Sequence, residues 1–420
     1  MKPGAETDLA GAFSALAAGG HSVILRGFSA IDAYLGLPPL PFVWADTSAD
    51  IAVLAKYIEN LRFPGVDLAD GAVDTPDGTC YFRCLDSEES PKSVFTFPLL
   101  SYGCDVRTGR FIDPLGTYPL LRGIRARRKN FVDESDEVLE QDSRRVTENS
   151  MLDFFTAASG AGRYRCIMDG ALLLARYSLG VEVSKYFSTF AKTLRGLPSE
   201  TAPGVEAQRA FLSCLLVSPR PDRALDFCKR TLFLDELWPE LACYDDVDHS
   251  KEFHPEGNVW NHTLETFRHR KAGANGAYDL RLSLGLLLHD AGKPISAANG
   301  NRRFDGHAEL GAHAAVRFLE RLEFDPSLVF DISFLVKNHM LPAALKRLPF
   351  TKTGEIMASP LFPTLMELYR CDESSSFKGL DGYYENSAAY QAYLKNVRNP
   401  YRSPDGKKMG KRSMYNGKAR

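Results

Sequence analysis

Six residues in the second half of this chain have the types and order of a metal site. They are His262, the adjacent pair His289 and Asp290, His307, His339 and Asp372. Eight of the nine histidines lie between His249 and His339, whereas solvated surface histidines would scatter along the chain. Imidazole and carboxylate groups are natural ligands of divalent transition metals, so this crowding points to metal binding.

The segments around these residues read as helices that aim them at one point. Tyr278 to Leu288 is apolar on nearly every face, as expected of a helix buried at the centre of a domain. His289 and Asp290 end that run, and the following Gly292 and Pro294 punctuate it. An ionised aspartate at the end of a buried helix is costly unless it is paired or coordinated. His262 sits on Asn258 to His269, whose Trp260, Leu264 and Phe267 form an inward stripe. His307 opens a third helix with Leu310, Ala314 and Phe318 inward. His339 closes a fourth, from Leu328 to Met340, and Asp372 follows the apolar run Leu361 to Tyr369 on a fifth.

The order His…His-Asp…His…His…Asp resembles the HD phosphohydrolase superfamily of all-helical, metal-dependent domains. The stretches HPEGNVWNHT, LLLHDAGKP, RFDGHAELGAHAA and VKNHM are similar to the HD domain fused to bacterial tRNA nucleotidyltransferases and poly(A) polymerases. The likeness covers about 245–375. It implies His262, His289, Asp290 and Asp372 as the primary metal ligands. His307 and His339 match the additional histidines of two-metal members, with Asp290 bridging. A metal so held lowers the pKa of bound water. Asp290 and Lys293 are then the catalytic candidates, Lys293 as a point charge steadying phosphoryl oxygens. His254 and Arg303 are candidate substrate contacts. His249, His269 and His313 are left as surface or outlying residues. One or two divalent ions are expected, with Mn, Fe, Co, Ni, Zn and Mg all compatible with the mixed nitrogen and oxygen set.

The same resemblance implies a nucleotidyltransferase head before the helical parts. Val23-Ile24-Leu25 reads as a strand, followed by RGFSAIDAYLG and a second strand around Phe42-Val43-Trp44. Relatives carry Gly-Gly-x-x-Arg-Asp-x-x-x-Gly in the first motif. Here Gly27, Asp32 and Gly36 remain, but Phe28 and Ile31 replace a glycine and the arginine. Where relatives carry Asp-x-Asp for two Mg²⁺ ions, this chain has Phe42 and Trp44, with Asp46 two residues on. Near Val94 to Phe97 the arginines and aspartate of a third motif are missing. The head therefore reads as a retained fold without its chemistry.

Composition fits several domains. A chain of 420 residues is long for one core. The reading is α+β, mostly α. It comprises a leader 1–20, a nucleotidyltransferase-like head 21–124, a charged linker 125–148, a helical middle 149–240, an HD domain 241–395 and a basic tail 396–420. Net charge is −2, so bulk electrostatics do not draw the protein onto nucleic acid, although Arg122 to Lys129 and the tail are locally basic. Eight scattered cysteines lack framework or zinc-knuckle spacing, which suits a reduced, cytoplasmic setting. No run of 18 apolar residues indicates a membrane span.

The leading expectation is a metal-dependent phosphohydrolase acting on a nucleotide or an RNA 3′ end, a tRNA among them, including 2′,3′-cyclic phosphates. The alternatives are an active tRNA nucleotidyltransferase or poly(A) polymerase, and a non-catalytic RNA-binding scaffold. Phe42 and Trp44 weigh against transfer, and the intact ligand set weighs against a scaffold.

Overall fold

The fold was derived from a computed structural model. It describes residues 9–66, 69–75, 78–85, 95–130, 162–177, 179, 181–196, 201–248, 257–300, 304–376, 379–399 and 401–408. The architecture is α+β and mostly α, with one mixed sheet near the N-terminus. The chain divides into two compact units, Met1–Pro239 with Ala272–Tyr278, and Glu240–Lys271 with Asp279–Arg420. No helix among the described residues is long and apolar enough to cross a membrane.

The first unit opens on α1 (Leu9–Ala18), β1 (Val23–Arg26), α2 (Phe28–Leu35), β2 (Phe42–Thr47) and α3 (Ile51–Tyr57). β3 (Gly71–Thr75), β4 (Gly78–Cys84), β5 (Gly103–Asp105) and β6 (Phe111–Ile112) complete a sheet ordered β3-β4-β2-β1-β5-β6. Only β2 and β4 pair in parallel. Alternation along each strand sends Val23, Ala45, Val73, Cys80 and Phe82 to one face, where they pack with Leu16 and Leu54. Leu16 is fully buried, an apolar contribution of roughly 2 kcal/mol. The expected leader thus contains the first helix of the head core. A hydrophobic repeat this short and Ala-rich did not announce itself as amphipathic.

The opposite face carries Ile24, Arg26, Phe42, Trp44, Asp46, Tyr81 and Arg83. α4 (Tyr118–Asn130) follows the sheet. The middle of the chain is helical: α5 (Arg163–Arg176), α6 (Val181–Arg195), α7 (Val205–Leu216), α8 (Pro221–Arg230) and α9 (Phe233–Leu237). Polar ties join these helices to the head. Arg176 donates to both carboxylate oxygens of Asp32 at 2.9 and 3.0 Å, and Tyr177 Oη donates to Asp32 at 3.0 Å. Glu206 accepts from Arg62 at 2.8 Å and from Tyr81 Oη at 3.0 Å.

The second unit contains α10 (Val259–Arg268), α11 (Leu280–Leu288), α12 (Gly292–Ala298), α13 (His307–Arg321), α14 (Pro326–Asn338), α15 (Phe350–Met357), α16 (Phe362–Ser374) and α17 (Asp381–Arg398). Their starts follow from capping chemistry. Asn258 Oδ1 accepts from Asn261 N, Asp279 Oδ1 from Arg281 N, and Asp325 Oδ1 from Ser327 N, each satisfying a donor the helix leaves free. From Leu282 to Leu288 every residue of α11 is buried, as a run without a polar face requires. On α13 the inward face is Ala308, Gly311, Ala312, Ala315, Phe318 and Leu319. Leu310 and Ala314 are only half-buried, so the expected stripe is rotated by about one residue.

Candidate metal centre

The centre is assembled from one helix interior and four helix ends. His262 lies in the middle of α10, His289 and Asp290 follow the last turn of α11, His307 is the first residue of α13, His339 caps α14, and Asp372 lies near the end of α16. Close packing lets these ends converge. A Cβ on Gly292 would lie 2.0 Å from the His307 carbonyl oxygen and 2.6 Å from Gly311 N, so only glycine admits this approach of α12 to α13.

All six expected ligands come together. His262, His289 and Asp290 form one group able to hold an ion, and Asp290, His307 and His339 a second that shares the aspartate. Asp290 Oδ2 lies 3.4 Å from His289 Nε2 and 3.8 Å from His262 Nε2. Its Oδ1 lies 3.7 Å from His307 Nε2 and 3.9 Å from His339 Nε2. Asp372 Oδ1 is 3.0 Å from His262 Nε2.

The hydrogen-bond network orients all four rings the same way. His289, His307 and His339 each place Nδ1 on a backbone carbonyl, of Leu286 at 2.8 Å, Phe304 at 2.8 Å and Val336 at 2.7 Å. A carbonyl only accepts, so each Nδ1 carries the proton and each Nε2 presents its lone pair. Ser375 Oγ gives its hydrogen to the Asp372 carbonyl at 2.6 Å and therefore accepts from His262 Nδ1 at 3.2 Å. The four Nε2 atoms face one another in pairs, 3.3 Å apart for His262 and His289 and 3.1 Å for His307 and His339. Facing lone pairs beside carboxylate oxygens repel unless a positive charge lies among them. The donor set therefore fits a divalent cation.

Burial and charge agree. His262, His289, Asp290 and His339 are buried. Burial, with the neighbouring His289, pushes the His339 imidazole down to about 4, so it is neutral at physiological pH. Burial likewise lowers His289. Burial opposes the charge on Asp290, but Lys293 and the surrounding histidines hold its carboxyl well below the usual range. Lys293 Nζ rests on Asp290 Oδ2 at 2.7 Å. In the structure it neutralises the shared carboxylate.

His254 and Arg303 lie outside the described residues, as does His249. His313 is exposed, and His269 lies 3.6 Å from Glu265 on its own helix. Sequence reasoning missed Ser375. Its signal is the spacing of three from Asp372, one helical turn further along.

In the head, Phe42 stacks on Tyr81 with ring centres 5.9 Å apart, and Trp44 lies 5.2 Å from the same ring. Asp46 shares their face, and its Oδ2 accepts from Arg26 Nε at 2.9 Å and Arg83 Nη2 at 2.7 Å. Asp32, expected as a remnant of a phosphate-binding turn, is buried against Arg176 and Tyr177.

No family model matches this chain. The curated relatives it matches include two tRNA nucleotidyltransferases. It is 32% identical over 188 residues to a CC-adding tRNA nucleotidyltransferase of Thermus thermophilus, spanning 43% of this chain and 42% of that one. It is 33% identical over 147 residues to an A-adding tRNA nucleotidyltransferase of Deinococcus radiodurans, spanning 34% and 33%. A multifunctional CCA protein of Halorhodospira halophila matches at 34% over 126 residues, spanning 30% and 29%. The matched spans are thus less than half of each relative. Among solved structures, a CCA-adding enzyme of Bacillus stearothermophilus in complex with CTP aligns over 93% of this chain and 85% of its own. Its identity is 14% and its TM-score 0.45.

These relatives correct two expectations. The phosphohydrolase reading, with its phosphodiesterase and phosphatase activities, is overturned, because two of the relatives are named as CC-adding and A-adding tRNA nucleotidyltransferases. The expectation that the head has lost transfer conflicts with the same names. The physical reason is that clustered imidazoles and carboxylates determine an affinity for metal and leave the reaction open. Two aromatic substitutions on β2 also leave a carboxylate, Asp46, on that face.

Proposed function

We propose that this chain acts at the 3′ end of tRNA as a nucleotidyltransferase, taking its nucleotide from a nucleoside triphosphate. The carrying observation is the 32% identity over 188 residues to the CC-adding enzyme. In such a reaction the terminal hydroxyl oxygen attacks the α-phosphorus, pyrophosphate leaves, and the hydroxyl proton passes to a base. Phe42 and Trp44 cannot ligate a metal. The reading therefore places the reaction at the charged group that remains on their face of the sheet, Asp46 with Arg26 and Arg83. The second unit supplies a separate centre of the HD type. There His262, His289, Asp290 and Asp372 would hold one divalent ion, and Asp290, His307 and His339 a second. A bound ion there supplies Lewis-acid charge.

The test is incorporation of labelled ATP or CTP into tRNA lacking its terminal nucleotides, with Mg²⁺ or Mn²⁺ present. Incorporation is expected in the native protein and in Asp290→Ala, and is expected to be abolished in Asp46→Ala. No incorporation with either ion would overturn the reading. A second reading, an RNA-binding scaffold, is favoured by one observation, the packing of Phe42 and Trp44 on Tyr81 in place of a carboxylate pair. Retained tRNA binding without incorporation would select it.

A further inference from the structure

On the sheet face opposite the head core, two guanidinium groups share a single carboxylate oxygen. Ile24, Asp46 and Arg83 are level with one another across β1, β2 and β4, and Arg26 lies two residues along from Ile24. Asp46 is 3% exposed on its side chain, Arg26 15% and Arg83 11%. Among the described residues, two positive charges thus meet one negative charge in a largely dry setting. Burying an uncompensated charge costs several kcal/mol unless a counter-charge is supplied.

The chain supplies no second carboxylate there among the described residues. Asp105 is level with Ile24 on the next strand, but its Oδ1 accepts from Thr108 N at 2.8 Å and Thr108 Oγ1 at 2.9 Å. Arg26 Nη1 spends its bond on the Ser101 carbonyl at 3.2 Å. Several donors remain. Arg83 Nε is buried with no partner, and so is the Ser101 hydroxyl. Phe95 flanks both guanidiniums, with its ring centre 6.0 Å from Arg26 Cζ and 5.7 Å from Arg83 Cζ, holding them as a pair.

We infer that Arg26 and Arg83, held by Asp46 and Phe95, form a binding site for a phosphate group that works without a divalent metal. A guanidinium offers fixed, planar donors suited to phosphate oxygens, and its charge does not titrate away. A tetrahedral polyanion would supply the missing negative charge and meet the free N–H groups. The pair would then neutralise phosphate on the face where a metal pair was expected and where Phe42 and Trp44 cannot hold one. The inference rests on the transfer reading only for which phosphate binds. The shared chemistry is that of a nucleoside triphosphate, free pyrophosphate and an RNA 3′-phosphate.

Calorimetric titration of the full chain in excess EDTA tests this, with ATP, pyrophosphate and a short RNA ending in a 3′-phosphate as separate arms. At least one arm is expected to bind, and the arm that binds names the source. Arg83→Gln and Arg26→Gln are each expected to weaken that binding by about tenfold or more, the scale of one lost charge-assisted hydrogen bond. Asp46→Asn, which removes the competing anion, is expected to tighten it. That gain is one a purely structural role for the cluster would not produce. Thermal shift by the same ligands serves as the second readout for any variant of low stability. Absence of binding in all three arms, or binding unchanged in both arginine variants, overturns the inference. Metal-free binding without nucleotide incorporation would leave this site standing while the transfer reading falls. Incorporation without metal-free binding would do the reverse.

Discussion

At the scale of single residues, the metal centre depends on which ring nitrogen carries the proton. Ser375 fixes this for His262 by spending its own hydrogen on the Asp372 carbonyl. Ser375→Ala removes the acceptor from His262 Nδ1 while leaving every proposed ligand in place. Metal affinity is expected to fall by roughly tenfold to a hundredfold, the range for losing an orienting partner. Asp290→Ala removes the carboxylate shared by both groups, so metal content by elemental analysis should drop for both ions while circular dichroism keeps its helical signal. Full metal retention in Asp290→Ala would remove the centre from this protein.

At the scale of elements, the helical middle is stapled by Arg163, buried at the start of α5, and Glu236 on α9. Arg163 Nη1 donates to Glu236 at 2.7 Å, and Tyr164 Oη donates to the same carboxylate at 2.7 Å. The hydrogen bond from Arg163 is the largest reason the Glu236 carboxyl lies below the ordinary glutamate range. A depressed folded-state pKa means the staple stabilises fully above the unfolded value of about 4.3 and fades as pH falls through the folded one. Glu236→Gln strands a buried guanidinium and should cost about 3 kcal/mol at pH 7. Melting curves of the two proteins should converge as pH is lowered from 5 toward 3. A gap that stays constant over that range would rule out the ion pair as its origin. Gly292→Ala is a second test at this scale. Its Cβ would strike the His307 backbone, so α12 must part from α13, with a loss of about 1–3 kcal/mol and weaker metal binding.

Five helices of the second unit were legible from local signals, chiefly the unbroken apolar run of α11 with Gly292 and Pro294 after it and the inward Trp260 and Phe267 of α10. The six candidate ligands rest on the crowding of the histidines and on the resemblance of their order to HD domains. What stayed hidden depends on pairs distant in sequence. Nothing local to Asp32 announces Arg176, which is 144 residues away, or tells that Arg26 and Arg83 would share Asp46. The reaction class was the least legible, because the centre's donor set is common to many reactions.

At the scale of the whole molecule, the two kinds of charged site fall in different units. The Asp46 cluster belongs to Met1–Pro239, and the histidine cluster to the unit containing Glu240–Lys271 and Asp279–Arg420. A ligand stabilises the cooperative unit that binds it, by about 2.7 kcal/mol when its concentration is a hundred times its dissociation constant. Metal and phosphate should therefore act on separate melting transitions in scanning calorimetry. Chelation with EDTA is expected to lower the transition of the histidine-bearing unit and leave the other in place. Pyrophosphate added in EDTA should raise the transition of the unit with the sheet. Asp290→Ala identifies the first transition by abolishing its response to EDTA, and Arg83→Gln identifies the second by abolishing its response to pyrophosphate. The segment Ala272–Tyr278 belongs with the first unit although it lies between α10 and α11 of the second. The chain therefore passes between the units three times, so a cut at residue 240 would separate this segment from its neighbours. The experiment accordingly needs the intact chain. A single transition that responds equally to both ligands would show that the units unfold as one and that the sites are thermodynamically linked.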